Sequence, residues 1–320
     1  MDAPTSDRLR ELLRAPAGCL LLLKMAHVGM TPREAAEPPT ALHLVAQAVG
    51  ELSPWSVHHD RLVDLARREA RHHLPLAHAL VREPGIARWW APLDRDRQVW
   101  MEPASRAAFP TPEAFPTPTR PPTRWEHYAQ KPERHVVTST AAGDWTAQLA
   151  AIADGASDWT MICPARRKRV RVSPAARVAE IVTAEDWHAL VITHGARSDP
   201  ERSFSPDSWR GQPWGPNDGL IPDWRSVARE WDGVHLTTWA VLTATQVRIA
   251  SDAGWTELWS REGEETTWLH WAFDAVDDMP PVDPLPEGRL IPSPPYPESW
   301  HREAPAAAMR LHASSDDAIP

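Results

Sequence analysis

The sequence predicts an α+β protein, in which an N-terminal helical region precedes a β-sheet domain with short helices. Apolar residues recur at helical spacing through residues 6–90. After residue 95, short segments rich in β-branched and aromatic residues alternate with short helical patterns. We therefore divide the 320 residues into a helical domain (1–95), an α+β domain (96–276) and a Pro/Ala-rich tail (277–320).

The first 90 residues carry signals for the beginnings of several helices. Ser6 is placed to cap a helix whose Leu9, Leu12 and Leu13 lie on one face. The segment Thr31-Pro-Arg-Glu has the form of a capping box with proline at the first helical position. We expect a bundle of roughly four or five short helices, which could bind a protein partner.

Histidines concentrate in this helical region. They are His58, His59, His72, His73 and His78. Glu69 precedes His72 by three residues, so the two side chains share one helix face. A Glu-x-x-His pair supplies half of a di-metal carboxylate site, and the sequence holds no second copy. The pattern favours a solvated helical face, and a metalloenzyme that uses His58, His72 or His73 remains the weakest of three functional hypotheses.

A short strand and a proline-rich stretch follow the helices. The strand is predicted from Gln98 to Met101, directly after Arg97. Residues 103–124 are dense in proline, and Ala-Phe-Pro-Thr-Pro occurs in them twice. Because proline favours extended backbone and excludes helix, this stretch is predicted to be a linker or a long ordered loop.

Strands and short helices alternate in the middle of the chain. The segment HVVTST at 135–140 predicts a strand, and Asp144 is placed to cap the helix that follows it. Two more strands are predicted at 159–163 and 170–172. Thr183 and Asp223 are placed to cap two later helices.

A tryptophan-rich stretch begins at Trp231 and contains the pair Glu264-Glu265. Three segments of it are predicted to be extended, namely 234–243, 245–250 and 266–273. A carboxylate directly before a buried strand is either a solvated turn residue or a functional group aimed into a cleft. Because neighbouring strand residues point to opposite faces, we expect Glu265 to point inward and Glu264 to face outward.

Composition limits the possible partners. With a formal net charge of −9, the chain has no overall electrostatic attraction to nucleic acid. We therefore do not expect nucleic acid as a partner. The basic run at 166–171 is predicted to be a solvated turn between two strands. Cys19 and Cys163 have no metal-ligand spacing and indicate reduced thiols. No apolar run approaches the ~18 residues of a membrane span, so we expect no membrane partner. We expect a cytoplasmic protein, or one that is exported without a cleaved signal.

Three separated segments resemble the motifs of a group of bacterial and phage proteins. The first is Tyr128-Ala-Gln-Lys131-Pro132, followed by His135 to Thr140 and then Trp145, which resembles a Lys-Pro-x-Gly-Leu-Trp-x-Ser...Trp signature. The second is Trp231-Asp-Gly-Val-His-Leu, which resembles a Tyr-Asp-Gly-Val segment. The third runs from Trp259 through Glu265-Thr-Thr-Trp268 and resembles a Trp...Glu-Ser/Thr-x-x-Trp segment.

The same order of parts over residues 95–275 is similar to ADP-ribosyltransferases, which are NAD-consuming enzymes with a split, mixed β-sheet. The resemblance implies NAD as the substrate and Glu265 as the catalytic residue. It further implies that the strand Thr138-Ser139-Thr140 lines the NAD site and that Trp145 packs against the nicotinamide ring. The anchor for the dinucleotide is expected to be Arg97, with His127 as the second candidate.

Two functional hypotheses therefore lead. The first is an ADP-ribosyltransferase-like enzyme that modifies an unknown macromolecular or small-molecule acceptor. The second is a non-catalytic interaction protein, such as an immunity or assembly factor, which the acidic charge, the proline-rich loops and the 18 tryptophans favour. The resemblance supports the first hypothesis only by analogy, since one fold hosts many functions.

Overall fold

A computed structural model describes residues 3–52, 59–103, 108–120, 130, 132, 135–140, 165–197, 219–259 and 263–282. Over these ranges the chain has an α+β fold, as predicted. Several predicted features lie outside the described residues. They are His58, His127, Trp145, Cys163, the helix capped by Asp144, the strand at 159–163 and the tail beyond residue 282.

The N-terminal region is helical, as its apolar spacing predicts. Its helices are α1 (Ala3–Arg14), α2 (Pro16–Val28), α3 (Pro32–Ala36), α4 (Pro38–Gly50), α5 (His59–Ala70) and α6 (Leu74–Arg82), with 3-10 helices at Arg71–His73 and Pro84–Trp90. The described part thus has more helices than the four or five expected. Pro16, Pro32 and Pro38 each stand at the start of a new helix, because proline fits the first turn but interrupts a helix interior. The predicted capping box of Thr31 and Glu34 is present.

Three further helices accompany the sheet. They are α7 (Ala184–His194), α8 (Trp224–Glu230) and α9 (Thr238–Ala244). The caps predicted at Thr183 and Asp223 are confirmed, since each side chain accepts a hydrogen bond from a backbone N–H in the first turn.

The main sheet has seven strands among the described residues. The strands are β1 (Gln98–Pro103), β2 (Val136–Thr140), β3 (Ala165–Val172), β4 (Val178–Ile181), β7 (Gly233–Leu236), β10 (Glu265–Trp268) and β11 (Phe273–Val282). Their order across the sheet is β11-β3-β1-β2-β10-β7-β4. The sheet is mixed, because β4 and β7 are parallel while the other neighbours are antiparallel.

Two small antiparallel pairs lie beside the main sheet. They are β5 (Gly195–Arg197) with β6 (Leu220–Pro222), and β8 (Ile249–Ser251) with β9 (Gly254–Thr256).

Side chains alternate between the two faces of the main sheet, and the faces pack differently. The helix face carries Val234 and Leu236, which belong to one buried cluster with residues of α1 to α9. The aromatic face carries Trp100, Val136 and Trp268, which belong to a second buried cluster. The first cluster joins the N-terminal helices to β4 and β7, so the two predicted domains share buried side chains. The boundary near residue 95 stays a prediction.

The proline-rich stretch packs against the aromatic face. Phe109 lies edge-on to Trp100 with ring centroids 5.1 Å apart, and Phe115 lies edge-on to Trp271 at 6.1 Å. Both phenylalanines also contact Phe273. The two Ala-Phe-Pro-Thr-Pro copies therefore place their aromatic rings in one cluster, and the described part of this stretch, 108–120, is an ordered loop rather than a linker.

The extended segment predicted at 234–243 is wrong in its second half, which forms α9. The hydroxyl of Thr237 accepts a hydrogen bond from the backbone N–H of Ala240 and caps this helix. Every residue of α9 is buried. Packing of the whole helix against the core therefore outweighs the strand preference of Thr238, Trp239 and Val241.

The basic run is not a turn but part of strand β3, between β1 and β11. Strand β11 places Asp277 opposite Arg169 and Asp278 opposite Lys168, and these acidic residues offset the basic charge. Strand β11 also continues to Val282, six residues into the segment that the sequence assigned to the tail.

No helix within the described ranges is long and apolar enough to cross a bilayer.

Candidate functional site

A carboxylate and a hydroxyl meet at the end of strand β2. The Ser139 hydroxyl donates to Glu264 Oε2 at 2.7 Å. The backbone N–H of Thr140 donates to both carboxylate oxygens of Glu264, at 3.0 and 2.8 Å. Glu264 is only 7% exposed. The predicted strand Thr138-Ser139-Thr140 and the predicted glutamate pair are thus joined directly.

The expectation that Glu264 faces outward is wrong. Strand β10 begins at Glu265, so Glu264 lies in the segment before the strand. The alternation of side chains along a strand therefore does not determine the direction of its side chain. The pairing of Thr266 with Thr138 sets Glu264 beside the last residue of β2. From that position its carboxylate reaches the backbone of Thr140 and the side chain of Ser139.

Burial dominates the electrostatics of Glu264. Loss of water raises the pKa of its carboxyl to about 7, against the hydrogen bonds from Ser139 and Thr140, which lower it. The neighbouring charge of Glu265 raises it further. A carboxyl group with a pKa near 7 can accept or donate a proton at neutral pH.

A row of polar side chains crosses the aromatic face beside Glu264. The strand register pairs Glu180 with His235, His235 with Thr266, and Thr266 with Thr138. Gln98 on β1 continues the row, since its amide oxygen accepts the Thr138 hydroxyl at 2.6 Å and its amide nitrogen donates to Thr140 Oγ1 at 2.8 Å. Trp268 closes the row by donating from Nε1 to Thr138 Oγ1 at 2.8 Å.

His235 is the centre of this polar row. Its side chain is 2% exposed, and Nδ1 lies 2.9 Å from Thr266 Oγ1 and 3.6 Å from Glu264 Oε1. Nε2 lies 3.8 Å from Glu180 Oε2. Burial lowers the pKa of His235 to about 4, although the charge of Glu265 opposes this shift. The imidazole is therefore neutral at pH 7.

Glu180 ends the row at the edge strand β4. The backbone N–H of Leu93 donates to its Oε1 at 3.1 Å. Its Oε2 is buried and has no hydrogen-bond partner among the described residues. Burial raises the pKa of this carboxyl, while the bond from Leu93 and the charge of Arg95 lower it.

Glu265, the predicted catalytic residue, begins β10 and is 8% exposed. Its partner across β10 and β7 is Leu236, which belongs to the helix face. Glu265 therefore points to the helix face, while Thr266 and His235 point to the aromatic face. The register of β10 with β2 puts Glu265 next to Ser139, one position beyond the pair Thr266 and Thr138.

Arg97, the predicted anchor, is exposed and directly precedes Gln98. Gln98 pairs with Thr140, so Arg97 lies at the same end of the sheet as Ser139, Glu264 and Glu265. The predicted cofactor residues His127 and Trp145 lie outside the described residues and stay predictions.

Gln130 lies within the first resembling segment and connects it to the stretch before the glutamate pair. Its Nε2 donates to the Glu257 carbonyl at 2.8 Å, and its Oε1 accepts the Trp259 N–H at 2.9 Å. Its backbone has a φ of 48°, a value that residues other than glycine and asparagine rarely adopt. Such strain persists where the surrounding contacts hold it in place, as this buried amide does.

The sequence did not single out His235, Gln98 and Glu180 as site residues. His235 and Glu180 are each the polar residue of an otherwise apolar strand, which is a usable signal for His235 between Val234 and Leu236, whereas β1 holds Glu102 besides Gln98. Their convergence depends on which strands are neighbours, and no local pattern reveals that. Among the described residues no group of three or more His, Cys, Asp or Glu side chains could hold a metal ion.

Comparisons of the chain with protein-family models, with curated proteins and with solved structures find no match.

Proposed function

We propose that the chain is an ADP-ribosyltransferase-like enzyme that consumes NAD and modifies an acceptor of unknown identity. The observation that carries this proposal is the adjacency of β1, β2 and β10 in the sheet. Arg97 directly precedes β1, Ser139 is the last residue but one of β2, and Glu265 begins β10, so the three lie at one end of the sheet. They are the anchor, the hydroxyl and the carboxylate that the resemblance implies.

The residues at this end of the sheet fit a dinucleotide in their donor and acceptor chemistry. Hydroxyls of Ser139 and Thr140 and two carboxylates suit the hydroxyl groups of a ribose. The exposed guanidinium of Arg97 suits a phosphate.

Each side chain has a distinct part in the proposed reaction. Cleavage of the bond between nicotinamide and ribose builds positive charge on the sugar, as in glycoside hydrolysis. Glu265 would stabilise that charge and accept a hydrogen bond from a ribose hydroxyl. Glu264 holds Ser139 and the end of β2 in place, and Thr138 joins this strand to Gln98 and Trp268.

The test is release of nicotinamide from labelled NAD by the purified chain, with and without candidate acceptors. Glu265→Gln keeps the size of the side chain and removes its charge, so we expect release to fall by at least about 100-fold. Glu185→Gln is the matched control, because Glu185 is an exposed residue that pairs with Arg14 on the surface. Equal release by wild type and Glu265→Gln, or none by wild type, would exclude the proposal.

One observation favours a non-catalytic interaction protein instead. The Ser139 hydroxyl and the Thr140 N–H already bind Glu264, so the groups offered to a substrate are engaged within the chain. A stoichiometric protein partner in a pull-down, together with no heat of NAD binding, would support this alternative. Binding of NAD at micromolar concentration would argue against it.

We further propose a cytoplasmic location and a protein-binding role for the N-terminal helices. Cys19 is a free, buried thiol, which suits a reducing compartment. Microscopy of a tagged chain, and pull-down with and without α1 surface substitutions such as Arg10→Ala, would test the two statements.

A further inference from the structure

A histidine, a serine and a glutamate lie together beside the small sheet of β5 and β6. His194 is the last residue of α7, and Ser226 lies in the first turn of α8. Nδ1 of His194 lies 3.2 Å from the Ser226 hydroxyl oxygen. Nε2 of His194 lies 3.6 Å from Oε2 of Glu230, at the end of α8. One imidazole therefore has a hydroxyl at one nitrogen and a carboxylate near the other.

The sequence of α8 places the hydroxyl and the carboxylate on one side of the helix. Ser226 and Glu230 are four residues apart, so successive turns bring them onto the same face. Asp223, which caps the helix, binds the Arg225 guanidinium with its carboxylate, at 3.1 and 2.8 Å. The carboxylate of the cap is thus engaged with Arg225, and the Ser226 hydroxyl contacts the imidazole.

The backbone holds α7 and α8 in this arrangement. The N–H of Asp223 donates to the His194 carbonyl at 2.9 Å, and Gly195 pairs with Pro222 in the small sheet. A Cβ on Gly195 would lie 2.2 Å from the carbonyl oxygen of Val191, so the passage from α7 into β5 requires glycine. The main chain therefore fixes the position of the imidazole beside α8.

The carboxylate favours one tautomer of the imidazole. An ionised carboxylate offers only acceptors, so Glu230 favours the form in which Nε2 of His194 carries the hydrogen. Nδ1 then presents its lone pair, and the Ser226 hydroxyl donates to it. A hydroxyl, a base within hydrogen-bond reach of it and a third group that orients the base are the parts of an activated serine nucleophile.

Exposure differs along this group of three side chains. The side chain of His194 is 5% exposed and that of Glu230 is 61% exposed, while Ser226 is partly exposed. The hydroxyl is therefore open to a substrate, while the base is shielded from water. Arg229 is exposed and follows Ser226 by three residues, which sets their Cβ atoms about 5–6 Å apart on the helix. Its guanidinium adds a positive charge for an oxyanion that forms at the serine.

We propose that Ser226, His194 and Glu230 form an esterase site whose substrates are carboxylic esters. The Ser226 oxygen attacks the ester carbonyl, and its proton passes to Nδ1 of His194. The bond to the alcohol then breaks, and His194 gives that proton to the leaving alcohol. Water next attacks the acyl-serine and gives a proton to His194, which returns it to the Ser226 oxygen as the carboxylic acid leaves.

Glu230 is a positioning residue in this scheme, because it acts through His194. The site shares no residue with the one proposed to consume NAD, and neither proposal rests on the other.

A fluorophosphonate probe tests the nucleophile on the full chain. The serine oxygen attacks phosphorus, fluoride leaves, and mass spectrometry should find the phosphonyl group on Ser226. Ser226→Ala should remove the label. Ser251→Ala is the matched control, because Ser251 is an exposed serine whose hydroxyl donates to the Gly254 carbonyl, and it should be labelled as wild type is.

Variants of the other two residues separate the base from the positioning residue. His194→Gln keeps an acceptor for the Ser226 hydroxyl but removes the base, so labelling and hydrolysis of p-nitrophenyl acetate should slow by at least about 100-fold. Glu230→Gln should lower kcat by roughly tenfold and leave KM within about twofold, since Glu230 does not contact the substrate. Far-ultraviolet circular dichroism checks that each variant is folded.

Ser226→Cys gives a second measurement, which applies even if His194→Gln does not fold. A thiol beside the imidazole should be alkylated by iodoacetamide at least about tenfold faster than the thiol in Ser251→Cys, with both sites mapped by mass spectrometry. Three results would each overturn the site. They are an unlabelled wild type at millimolar probe, a label that persists in Ser226→Ala, and equal alkylation of Ser226→Cys and Ser251→Cys.

Discussion

Glu264 is a carboxyl group whose environment stabilises its neutral form more than water does. Burial outweighs the hydrogen bonds from Ser139 and Thr140 and raises the pKa of this carboxyl in the folded protein to about 7, above its ordinary value of 4.5. A raised carboxyl pKa means that the folded state binds the proton more tightly than the unfolded chain. Its contribution to stability is thus present below about pH 4.5 and is lost as the pH rises through about 7.

Glu264→Gln removes this titration and should change the pH dependence of stability. Between pH 4.5 and 8, wild type should lose on the order of 3 kcal/mol of unfolding free energy relative to the variant. Urea denaturation at several pH values measures this difference in unfolding free energy. The new amide can shift the free energy of the variant by a constant amount, but such a shift does not change how the difference depends on pH. The control is Glu185→Gln, an exposed site where the hydrogen bond from Arg14 lowers the carboxyl pKa. A difference between wild type and Glu264→Gln that does not vary with pH would contradict the buried location of this carboxyl.

His235 gives stability the opposite slope. Its pKa in the folded protein, about 4, lies below the ordinary histidine value of 6.5, so the unfolded chain takes up the proton first as the pH falls. Stability from this group is present above about pH 6.5 and is lost as the pH falls towards 4. Because Glu264 and His235 lie 3.6 Å apart, their titrations are coupled, and removal of Glu264 should expose the His235 slope.

At the level of elements, local signals in the sequence predicted caps and strands but not the pairing that builds the site. Thr183 and Asp223 were identifiable because a capping side chain acts within three residues. The contact of Ser139 with Glu264 joins residues 125 positions apart in the sequence. Strand alternation alone predicted that the Glu264 side chain faces outward, which is wrong. Helix α9 was missed because its burial, rather than the propensity of its residues, determines its conformation.

The proline-rich loop is an element that its two phenylalanines hold against the sheet. Phe109 is almost fully buried, with Trp100, Trp271 and Phe273 around its ring. Proline rings limit the freedom of the unfolded loop, so less entropy opposes its docking. The aromatic cluster beneath the loop adjoins the polar row through Trp268, which contacts Phe273 at 5.0 Å and Thr138 at 2.8 Å.

Phe109→Ala should therefore destabilise the protein by roughly 3 kcal/mol, the range for removing a buried aromatic ring. Phe115→Ala is the matched comparison, since Phe115 occupies the same position in the second repeat and is only partly buried. We expect a smaller loss there. Urea denaturation gives both values, and limited proteolysis should cut the loop faster in Phe109→Ala. Equal and negligible effects of the two substitutions would mean that the loop does not pack as described.

At the scale of the whole molecule, a group of side chains joins the N-terminal helices to the sheet. Trp239 of α9 donates from Nε1 to Glu11 of α1 and lies edge-on to Trp90, with ring centroids 5.3 Å apart. The guanidinium of Arg8 lies over both rings, at 4.9 and 5.6 Å, and pairs with Glu11 at 2.9 Å. Together with the buried cluster that spans both regions, these contacts connect the helices to the sheet mechanically.

Trp239→Phe should lower the stability of the helices and the sheet together. The substitution removes the donor to Glu11 and part of a buried ring, for an expected loss of about 2–3 kcal/mol. Thermal unfolding followed by far-ultraviolet circular dichroism and by tryptophan fluorescence should show one coincident transition that moves to lower temperature. Trp255→Phe is the control, because Trp255 is only half-buried and lies under Arg248 outside the shared cluster. Two separate transitions, of which only one shifts in Trp239→Phe, would instead favour independent domains divided near residue 95.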